Sequence, residues 1–216
     1  MLILAIETST SILSLAILEG EKVLGEIFIH KKNSHAEKIH SAIENILKLC
    51  EIKLDEINLF AISEGPGSYT GLRIGFASLY GICFSLQKPL ISVSTLEAMT
   101  YQIQKELLSE NTILVPMLDA KGMKVYSLIS NEKREIISPP KKITINENSF
   151  QEFHKEKVLF FGDGSEKCKN ILLGKNFKFI PNIIPQAKNI GILAEKKYSG
   201  NETLNNISKI AKPFYL

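Results

Sequence analysis

The sequence contains no tryptophan, only three cysteines, and only two arginines among its 26 basic residues. The cysteines, Cys50, Cys83 and Cys168, stand far apart and form neither a C-x-x-C pair nor a zinc-ligand spacing. We therefore expect buried free thiols and a reducing compartment. Because arginine is a preferred donor to phosphates, its scarcity argues against a dedicated nucleic-acid-binding surface.

The chain also lacks the run of roughly 20 apolar residues that spans a bilayer. Its N-terminus shows neither the basic region nor the cleavage site of a signal peptide. We predict a cytoplasmic protein with no membrane partner.

Positive charge is scarce in the first half of the chain and abundant in the second. Residues 1–108 carry 9 basic and 12 acidic side chains (−3), and residues 109–216 carry 17 and 11 (+6), which together give the total of +3. A basic half is compatible with contact to RNA phosphates. A solvated basic face is the simpler interpretation.

The first half follows the order βββαβαβα, which is typical of a ribonuclease-H-like fold. We predict that Ser34 caps the first helix and that Glu37 completes a capping box. We place strands at 2–6, 12–18, 22–29, 57–63 and 89–93, and helices at 34–50, 72–86 and 95–108.

The second half repeats this pattern in a reduced form, which indicates a weak internal duplication. We predict two domains, residues 1–108 and 109–216. The sequence Ser138-Pro139-Pro140 is expected to end the second meander. We place strands at 112–118, 124–130, 134–138, 158–161 and 177–180, and helices at 166–172 and 190–198.

A Gly-rich segment, EGPGSYTGLRIG at residues 64–75, joins the fourth strand to the second helix. A phosphate loop of the Walker type needs a Lys-Ser/Thr pair after its last glycine, but Leu72 and Arg73 follow Gly71 here. A dinucleotide-binding G-x-G-x-x-G also fails, because Gly71 comes one residue late. The segment is therefore not predicted to bind phosphate.

The second helix contains interior glycines, each of which costs roughly 1 kcal/mol relative to alanine. The presence of glycine at positions 75 and 81 therefore needs an explanation, and the usual one is close approach of another element. That element is either the helix at 34–50 or a helix of a partner chain, and the pattern alone leaves both open.

Two histidines of the first helix resemble a metal pair but have the wrong spacing. His35 and His40 are five residues apart, which separates them by roughly 140° around a helix. A zinc pair on one face needs a spacing of four. We interpret both as surface or capping residues.

Carboxylates end the first strand of each half, at Glu7 and at Asp119. Together with Thr8 and Ser9, they could face each other and hold a metal–nucleotide complex. Equally, they could simply stabilise the ends of two strands.

Several segments resemble the bacterial TsaB proteins of tRNA threonylcarbamoyladenosine biosynthesis. The resemblance implies an α/β protein with the actin-like ATPase (ASKHA) fold, made of two ribonuclease-H-like halves of which the second is reduced. It is most specific at residues 65–75. The segments are ILAIETST at 3–10, SHAE at 34–37, GPGSYTGLRIG at 65–75, VSTLEAM at 93–99, DAK at 119–121 and KPFYL at 212–216.

The resemblance further implies a non-catalytic scaffold that binds and activates a TsaD-like subunit, which transfers the threonylcarbamoyl group to N6 of adenosine 37 in tRNA. A TsaE-like ATPase would act through the complex, tRNA would be contacted indirectly, and the chain would form a homodimer when its partner is absent. No cofactor is expected. The alternatives are a small ASKHA-type ATPase or kinase that acts alone through Glu7, Thr8, Ser9 and Asp119, and direct tRNA binding by the basic half.

The catalytic relative binds its metal through an H-x-x-x-H pair, and the resemblance places those positions at Thr95 and Met99, with Glu97 between them. Neither residue replaces a metal-bound imidazole well, so we expect no catalysis. After Asp119-Ala120, the sequence KGMK also departs from the family's Arg-Met-Gly-Glu. This departure argues against a phosphate contact in the second half.

The resemblance matches the helices at 34–50 and 72–86 to the pair through which the family dimerises. It therefore moves our interpretation of Gly71 and Gly75 from the monomer core to an interface. The predicted interface residues are Ala36, Ile39, Ile43, Ile46, Gly71, Leu72, Gly75, Ser78, Leu79 and Ile82.

Overall fold

The computed structural model describes residues 1–31, 34–199 and 211–216, and the chain divides into two compact units. Unit 1 comprises Met1–Thr95 and Pro185–Tyr215, and unit 2 comprises Leu96–Ile184 with the terminal Leu216. These units differ from the predicted halves, 1–108 and 109–216, because the C-terminal helix packs on the first sheet.

Unit 1 is built on a five-stranded sheet of β1 (Leu2–Glu7), β2 (Leu13–Glu19), β3 (Lys22–Ile29), β4 (Leu59–Gly65) and β5 (Leu90–Ser94). The order is β3-β2-β1-β4-β5. The strands β1, β2 and β3 form an antiparallel meander, and β4 and β5 continue the sheet in parallel. The central strand β1 is apolar almost throughout, as expected for a strand that is buried on both faces.

The helices are α1 (His35–Leu49), α2 (Tyr69–Leu86), α3 (Thr95–Thr100), α4 (Asp163–Glu166) and α5 (Ala187–Ser199). In unit 1, α1 and α2 pack on the sheet face that carries Leu4 and Ile6. Helix α5 packs on the other face, where a Cβ atom at Gly191 would lie 3.3 Å from the Cβ of Ala5. Alternation along β1 thus supplies both layers of the core.

Unit 2 has a second five-stranded sheet, made of β6 (Thr112–Asp119), β7 (Lys124–Ser130), β8 (Ile136–Thr144), β9 (Lys157–Phe161) and β10 (Phe177–Ile180). Its order, β10-β9-β6-β7-β8, repeats the order of the first sheet strand for strand, read from the opposite edge. The antiparallel and parallel pairings are also the same. The predicted pair of ribonuclease-H-like halves is confirmed.

Three predicted element boundaries in the second half and at its junction are wrong. Strand β8 runs through Pro139 and Pro140, which an edge strand tolerates because one side needs no ladder hydrogen bonds. Helix α3 has six residues and not fourteen. The guanidinium of Arg134 donates to the carbonyl oxygens of Thr100 (3.3 Å) and Ile103 (3.2 Å), just beyond its end. Helix α4 lies at Asp163–Glu166, before the predicted 166–172.

The predicted cap of α1 is also wrong. Ser34 makes no side-chain capping bond to the helix. Its hydroxyl instead donates to the carbonyl oxygen of Lys31 at 2.7 Å. Ser34 therefore stabilises the chain that leads into α1.

The three cysteines are free thiols, and Cys83 and Cys168 are buried while Cys50 is partly exposed. Burial raises the pKa of Cys83 to about 12, which leaves it protonated and unreactive. None of the helices in the described ranges combines the length and the apolar character that a bilayer span requires.

Candidate functional site

The Gly-rich segment packs against the turn that follows β1. The amide of Ser68 donates to the carbonyl oxygen of Ser9 at 2.6 Å, and the Ser68 hydroxyl accepts from the Gly71 amide at 3.2 Å, which caps α2. A Cβ atom at Gly71 would collide with the Thr8 carbonyl oxygen, and one at Gly75 would lie 2.5 Å from Thr8 Oγ1. The glycines allow the helix to approach this turn.

Packing within unit 1 bears on the predicted interface, which stays a prediction. Gly71 and Gly75 face the turn that follows β1. Five further predicted interface residues are buried in unit 1: Ile39, Ile43, Ile46, Leu72 and Leu79. The remaining three keep solvent-accessible surface, since Ala36 is exposed and Ser78 and Ile82 are partly exposed.

Glu7 lies at the end of β1 with no exposed surface. Its Oε1 accepts hydrogen bonds from the Ser9 amide (2.5 Å) and the Ser63 hydroxyl (2.9 Å). Its Oε2, together with Thr8 Oγ1 and Ser9 Oγ, finds no hydrogen-bond partner in the described part of the chain. Burial raises the pKa of the Glu7 carboxyl.

The structure thus brings three of the predicted nucleotide-binding candidates together, but it buries all three. Glu7 and Thr8 are fully buried, and Ser9 is 2% exposed. A metal–nucleotide complex needs oxygens that it can reach and a carboxylate that is ionised. In unit 1 this cluster is better suited to holding a tight turn than to binding a charged ligand.

His35, which its spacing predicts to be a surface or capping residue, is buried beside the same turn as the first residue of α1. Its Nε2 lies 2.8 Å from the carbonyl oxygen of Thr10. Its ring edge lies 3.4 Å from the position of a Cβ atom at Gly71. His35 therefore ties the start of α1 to both the β1–β2 turn and α2, whereas His40 is exposed as predicted.

The outward side of α2 exposes large aromatic side chains. We define the α2 outer face as the exposed residues of this helix, Tyr69, Thr70, Arg73, Ala77, Tyr80, Gly81, Phe84 and Ser85. Phe84 is 63% exposed and Tyr69 is 57% exposed. No atom of the described residues lies within 4 Å of a Cβ position at Gly81. Packing within unit 1 therefore explains why residue 75 is a glycine, but it does not explain the glycine at position 81.

A groove of about 480 Å³ runs beside this face, between α1 and α2. Small side chains on α2 form its floor, so a side chain from another molecule could enter it. Two predicted interface residues, Ser78 and Ile82, belong to its lining. The lining residues are His40, Leu54, Ala77, Ser78, Gly81, Ile82, Ser85 and Leu86.

The C-terminal residues border the N-terminal end of α2. The Phe214 amide donates to the carbonyl oxygen of Glu64 at 2.6 Å. The rings of Tyr215 and Tyr69 lie 4.9 Å apart, and Arg73 Nη1 donates to the Tyr69 hydroxyl at 2.8 Å. The segment at 212–216 is thus irregular and is joined to the end of β4 by a backbone hydrogen bond.

In unit 2, Asp119 lies at the end of β6, and neighbouring residues of unit 2 form hydrogen bonds with it. Lys167 Nζ binds its Oδ1, which also accepts from the Lys121 amide at 3.0 Å. The Asp119 amide donates to Asp163 Oδ1 at 3.0 Å. The hydrogen bond from Lys167 holds the pKa of Asp119 below its ordinary value.

Sequence reasoning missed Lys167 and Asp163, although a signal existed. Gly65 and Gly162 both have positive φ, of 105° and 98°, and both directly follow or end the fourth strand of their sheet. The residues after Gly162 therefore correspond to the Gly-rich segment of unit 1. The duplication could have identified this second turn as part of the Asp119 surroundings.

The positions that the resemblance relates to a metal pair are both buried. Met99 lies with Leu96 and Ile103 in an apolar cluster of unit 2. Thr95 is also fully buried. Among the residues that the structure describes, no three His, Cys, Asp or Glu side chains cluster as a metal site would require.

The chain is similar to known proteins over most of its length. Residues 22–215 match the family model described as TsaD, tRNA N6-adenosine threonylcarbamoyltransferase. The chain is 30% identical over 215 residues to the tRNA threonylcarbamoyladenosine biosynthesis protein TsaB of Buchnera aphidicola subsp. Baizongia pistaciae, with 96% of each chain covered. It is 29% identical to the protein of the same name from Bacillus subtilis, with 80% of this chain and 75% of that one covered.

Solved structures show the same fold. YeaZ from Pseudomonas aeruginosa superposes with a TM-score of 0.78 at 20% identity, with 100% of this chain and 99% of that chain covered. A polyphosphate/ATP-glucomannokinase from Arthrobacter gives a TM-score of 0.55 at 10% identity, covering 93% and 99%. The predicted actin-like ATPase fold is confirmed. The chain belongs to the TsaB family of tRNA threonylcarbamoyladenosine biosynthesis proteins.

Proposed function

We propose that this chain takes part in tRNA threonylcarbamoyladenosine biosynthesis as a non-catalytic scaffold that binds and activates a TsaD-like catalytic subunit. The observation that carries the proposal is the contrast between Gly75 and Gly81. The first glycine is used inside the monomer, while the second opens onto a groove on a helix face that exposes large aromatic side chains. A helix that keeps a costly glycine on an open face is suited to close approach by another chain.

The chemistry of the candidate sites supports a scaffold more than an enzyme. Glu7 is sealed in a turn, Asp119 is paired with Lys167, and Met99 is part of an apolar core. None of these side chains is placed to bind and activate a substrate in the way that general acid–base or metal catalysis requires.

The likeness between this chain and its proposed partner supports the docking mode. Residues 22–215 match the TsaD family model, so we expect a TsaD-like partner to share the fold of this chain. Two related surfaces can pack in a nearly symmetric way, with the α2 outer face of one against that of the other. The same face would serve a homodimer when the TsaD-like subunit is absent. A TsaE-like ATPase and tRNA would then join through the complex in the cytoplasm.

Gly81→Leu tests this proposal, because it should separate binding from folding. The new side chain has free space in the monomer and removes a helix glycine, so we expect the thermal midpoint to stay the same or to rise. The Leu side chain would fill the groove and prevent complex formation with the TsaD-like subunit in size-exclusion chromatography. Leu173→Asp, at an exposed site of unit 2, should leave the complex intact. A stable complex of the Gly81→Leu protein would contradict the docking face.

The alternative function is an ATPase or kinase that acts alone through Glu7, Thr8, Ser9 and Asp119. It predicts ATP turnover by the isolated chain and a loss of turnover in Asp119→Ala. The scaffold proposal predicts no turnover above that of a heat-denatured sample. Direct tRNA binding by the basic half predicts a gel shift by the isolated chain that weakens steeply with salt.

A further inference from the structure

The ammonium group of Lys167 contacts three oxygen atoms of a single turn of the chain. Lys167 follows α4 and reaches the turn at residues 119–124, which joins β6 to β7. Its Nζ binds Asp119 Oδ1, the Gly122 carbonyl oxygen (2.7 Å) and the Lys124 carbonyl oxygen (2.7 Å). An ammonium has three N–H donors, so each one has an acceptor.

These contacts differ from those of an ordinary surface salt bridge. An exposed ion pair uses one carboxylate and contributes little to stability. Here two of the three acceptors are backbone carbonyl oxygens of the same turn, and they converge on one point. Two residues of this turn, Lys121 and Gly122, have positive φ, of 66° and 55°.

One carboxylate oxygen and two carbonyl oxygens around one positive charge are the kind of ligands that a hard cation prefers, and they supply three of the six to eight oxygens that surround calcium. Calcium binds carboxylate and backbone carbonyl oxygens at about 2.3–2.6 Å, and water completes its shell. The ammonium contacts of 2.7 Å are only slightly longer. A small inward movement of the turn would therefore suit a divalent cation.

We propose that Lys167 is a tethered cation that fills a small-cation site in the β6–β7 turn, and that removing its side chain opens this site to Ca²⁺. The lysine neutralises Asp119 and organises the turn without any metal ion. It also keeps the carboxylate from taking part in binding a metal–nucleotide complex. The inference concerns unit 2 alone and does not depend on the proposed partner.

The test compares calcium binding by the wild-type chain, Lys167→Ala and the double variant Lys167→Ala/Asp119→Asn, with isothermal titration calorimetry. We expect one Ca²⁺ per chain for Lys167→Ala, with a dissociation constant in about the 0.1–1 mM range of sites with few ligand charges. Lys121 remains as a nearby positive charge and limits the affinity. Wild type and the double variant should show at least about tenfold weaker binding, because one lacks the space and the other lacks the carboxylate.

Equal calcium binding by wild type and Lys167→Ala, or no binding by a folded Lys167→Ala protein, would overturn the proposal. If Lys167→Ala does not fold in calcium-free buffer, the measurement becomes recovery of its circular dichroism spectrum on refolding with CaCl₂. Recovery that is absent with choline chloride of the same ionic strength supports the site, and no recovery counts against it. A conservative Lys167→Arg variant should fold and bind no calcium, since it keeps the positive charge.

Discussion

Gly75 of α2 lies directly against Thr8, so that a Cβ atom on Gly75 would stand 2.5 Å from Thr8 Oγ1 and 3.1 Å from Ile62 Cδ1. The helix can reach the β1–β2 turn only because it has no side chain at this point. The contact joins the most specific stretch of the sequence to the most buried polar cluster of unit 1, which contains Glu7.

Gly75→Ala should therefore destabilise the monomer, since the methyl group must displace Thr8 or Ile62. Overpacking of this kind costs about 1–3 kcal/mol, which corresponds to a thermal midpoint lower by roughly 2–4 °C per kcal/mol in a chain of this size. Gly81→Ala on the same helix is the matched control, because its methyl group meets open space. That variant should gain up to about 1 kcal/mol from helix propensity. Equal effects of the two substitutions in thermal unfolding would contradict the different surroundings of the two glycines.

The buried Glu7 should make stability depend on pH. Desolvation raises the pKa of Glu7 in the folded state above that of the unfolded chain. The folded state then holds the proton more tightly, so this contribution is fully present below the unfolded pKa and is lost as pH rises through the folded pKa. In Glu7→Gln the amide oxygen can still accept from Ser9 and Ser63, and no group titrates. The thermal midpoint of Glu7→Gln relative to wild type should rise as the pH increases above about 4, the ordinary pKa of a glutamate, and parallel curves would rule out a buried titrating Glu7.

Asp119 should have the opposite effect on the pH dependence of stability. Its hydrogen bond from Lys167 lowers its pKa in the folded state, so its contribution is present above the unfolded pKa and is lost as pH falls through the folded value. We expect Asp119→Asn to be less stable than wild type at neutral pH and to approach it below about pH 4. Because the Asp119 side chain is 48% exposed, the difference in stability should shrink in 1 M salt, where the Debye screening length is about 3 Å. A difference that is constant with pH would show that the pair carries no electrostatic contribution.

The C-terminal residues should stabilise the entry to α2. Tyr215→Ala removes the ring that lies 4.9 Å from Tyr69, and such aromatic pairs contribute about 0.5–1.5 kcal/mol. We expect faster amide hydrogen exchange in residues 64–73 and a lower thermal midpoint. Tyr80→Ala is the control, since Tyr80 is also partly exposed on α2 but lies outside the described ring contacts. Unchanged hydrogen exchange in residues 64–73 would mean that the C-terminal residues contact α2 without stabilising it.

Periodicity and turn chemistry were enough to predict most elements of the fold. Strand β3 and the meander–helix order follow from alternation and from the 3.6-residue repeat, which depend on neighbours along the chain. The same local rules failed at Pro139-Pro140, because only the position of β8 at a sheet edge makes prolines acceptable there. They also failed at Ser34, whose hydroxyl had a nearby carbonyl as an alternative partner.

The candidate site was less predictable, since its contacts join distant parts of the chain. The sequence placed Glu7, Thr8 and Ser9 at a strand end, but it did not reveal that they are sealed beneath α2. Lys167 was missed because it is 48 residues away from Asp119 and follows a helix of only four residues. Neither the spacing nor the composition of the sequence predicts a contact between residues so far apart.

The sequence by itself determined the duplicated α/β architecture, the absence of a phosphate loop, and the need for close approach at Gly75 and Gly81. These properties are encoded in short-range patterns and in the intrinsic cost of glycine in a helix. Only the tertiary structure decided which neighbour each glycine has. Gly75 packs against Thr8 within unit 1, whereas a Cβ atom at Gly81 would meet open space in the described part of the chain. Packing is a long-range property, so two glycines with the same local signal can serve different purposes.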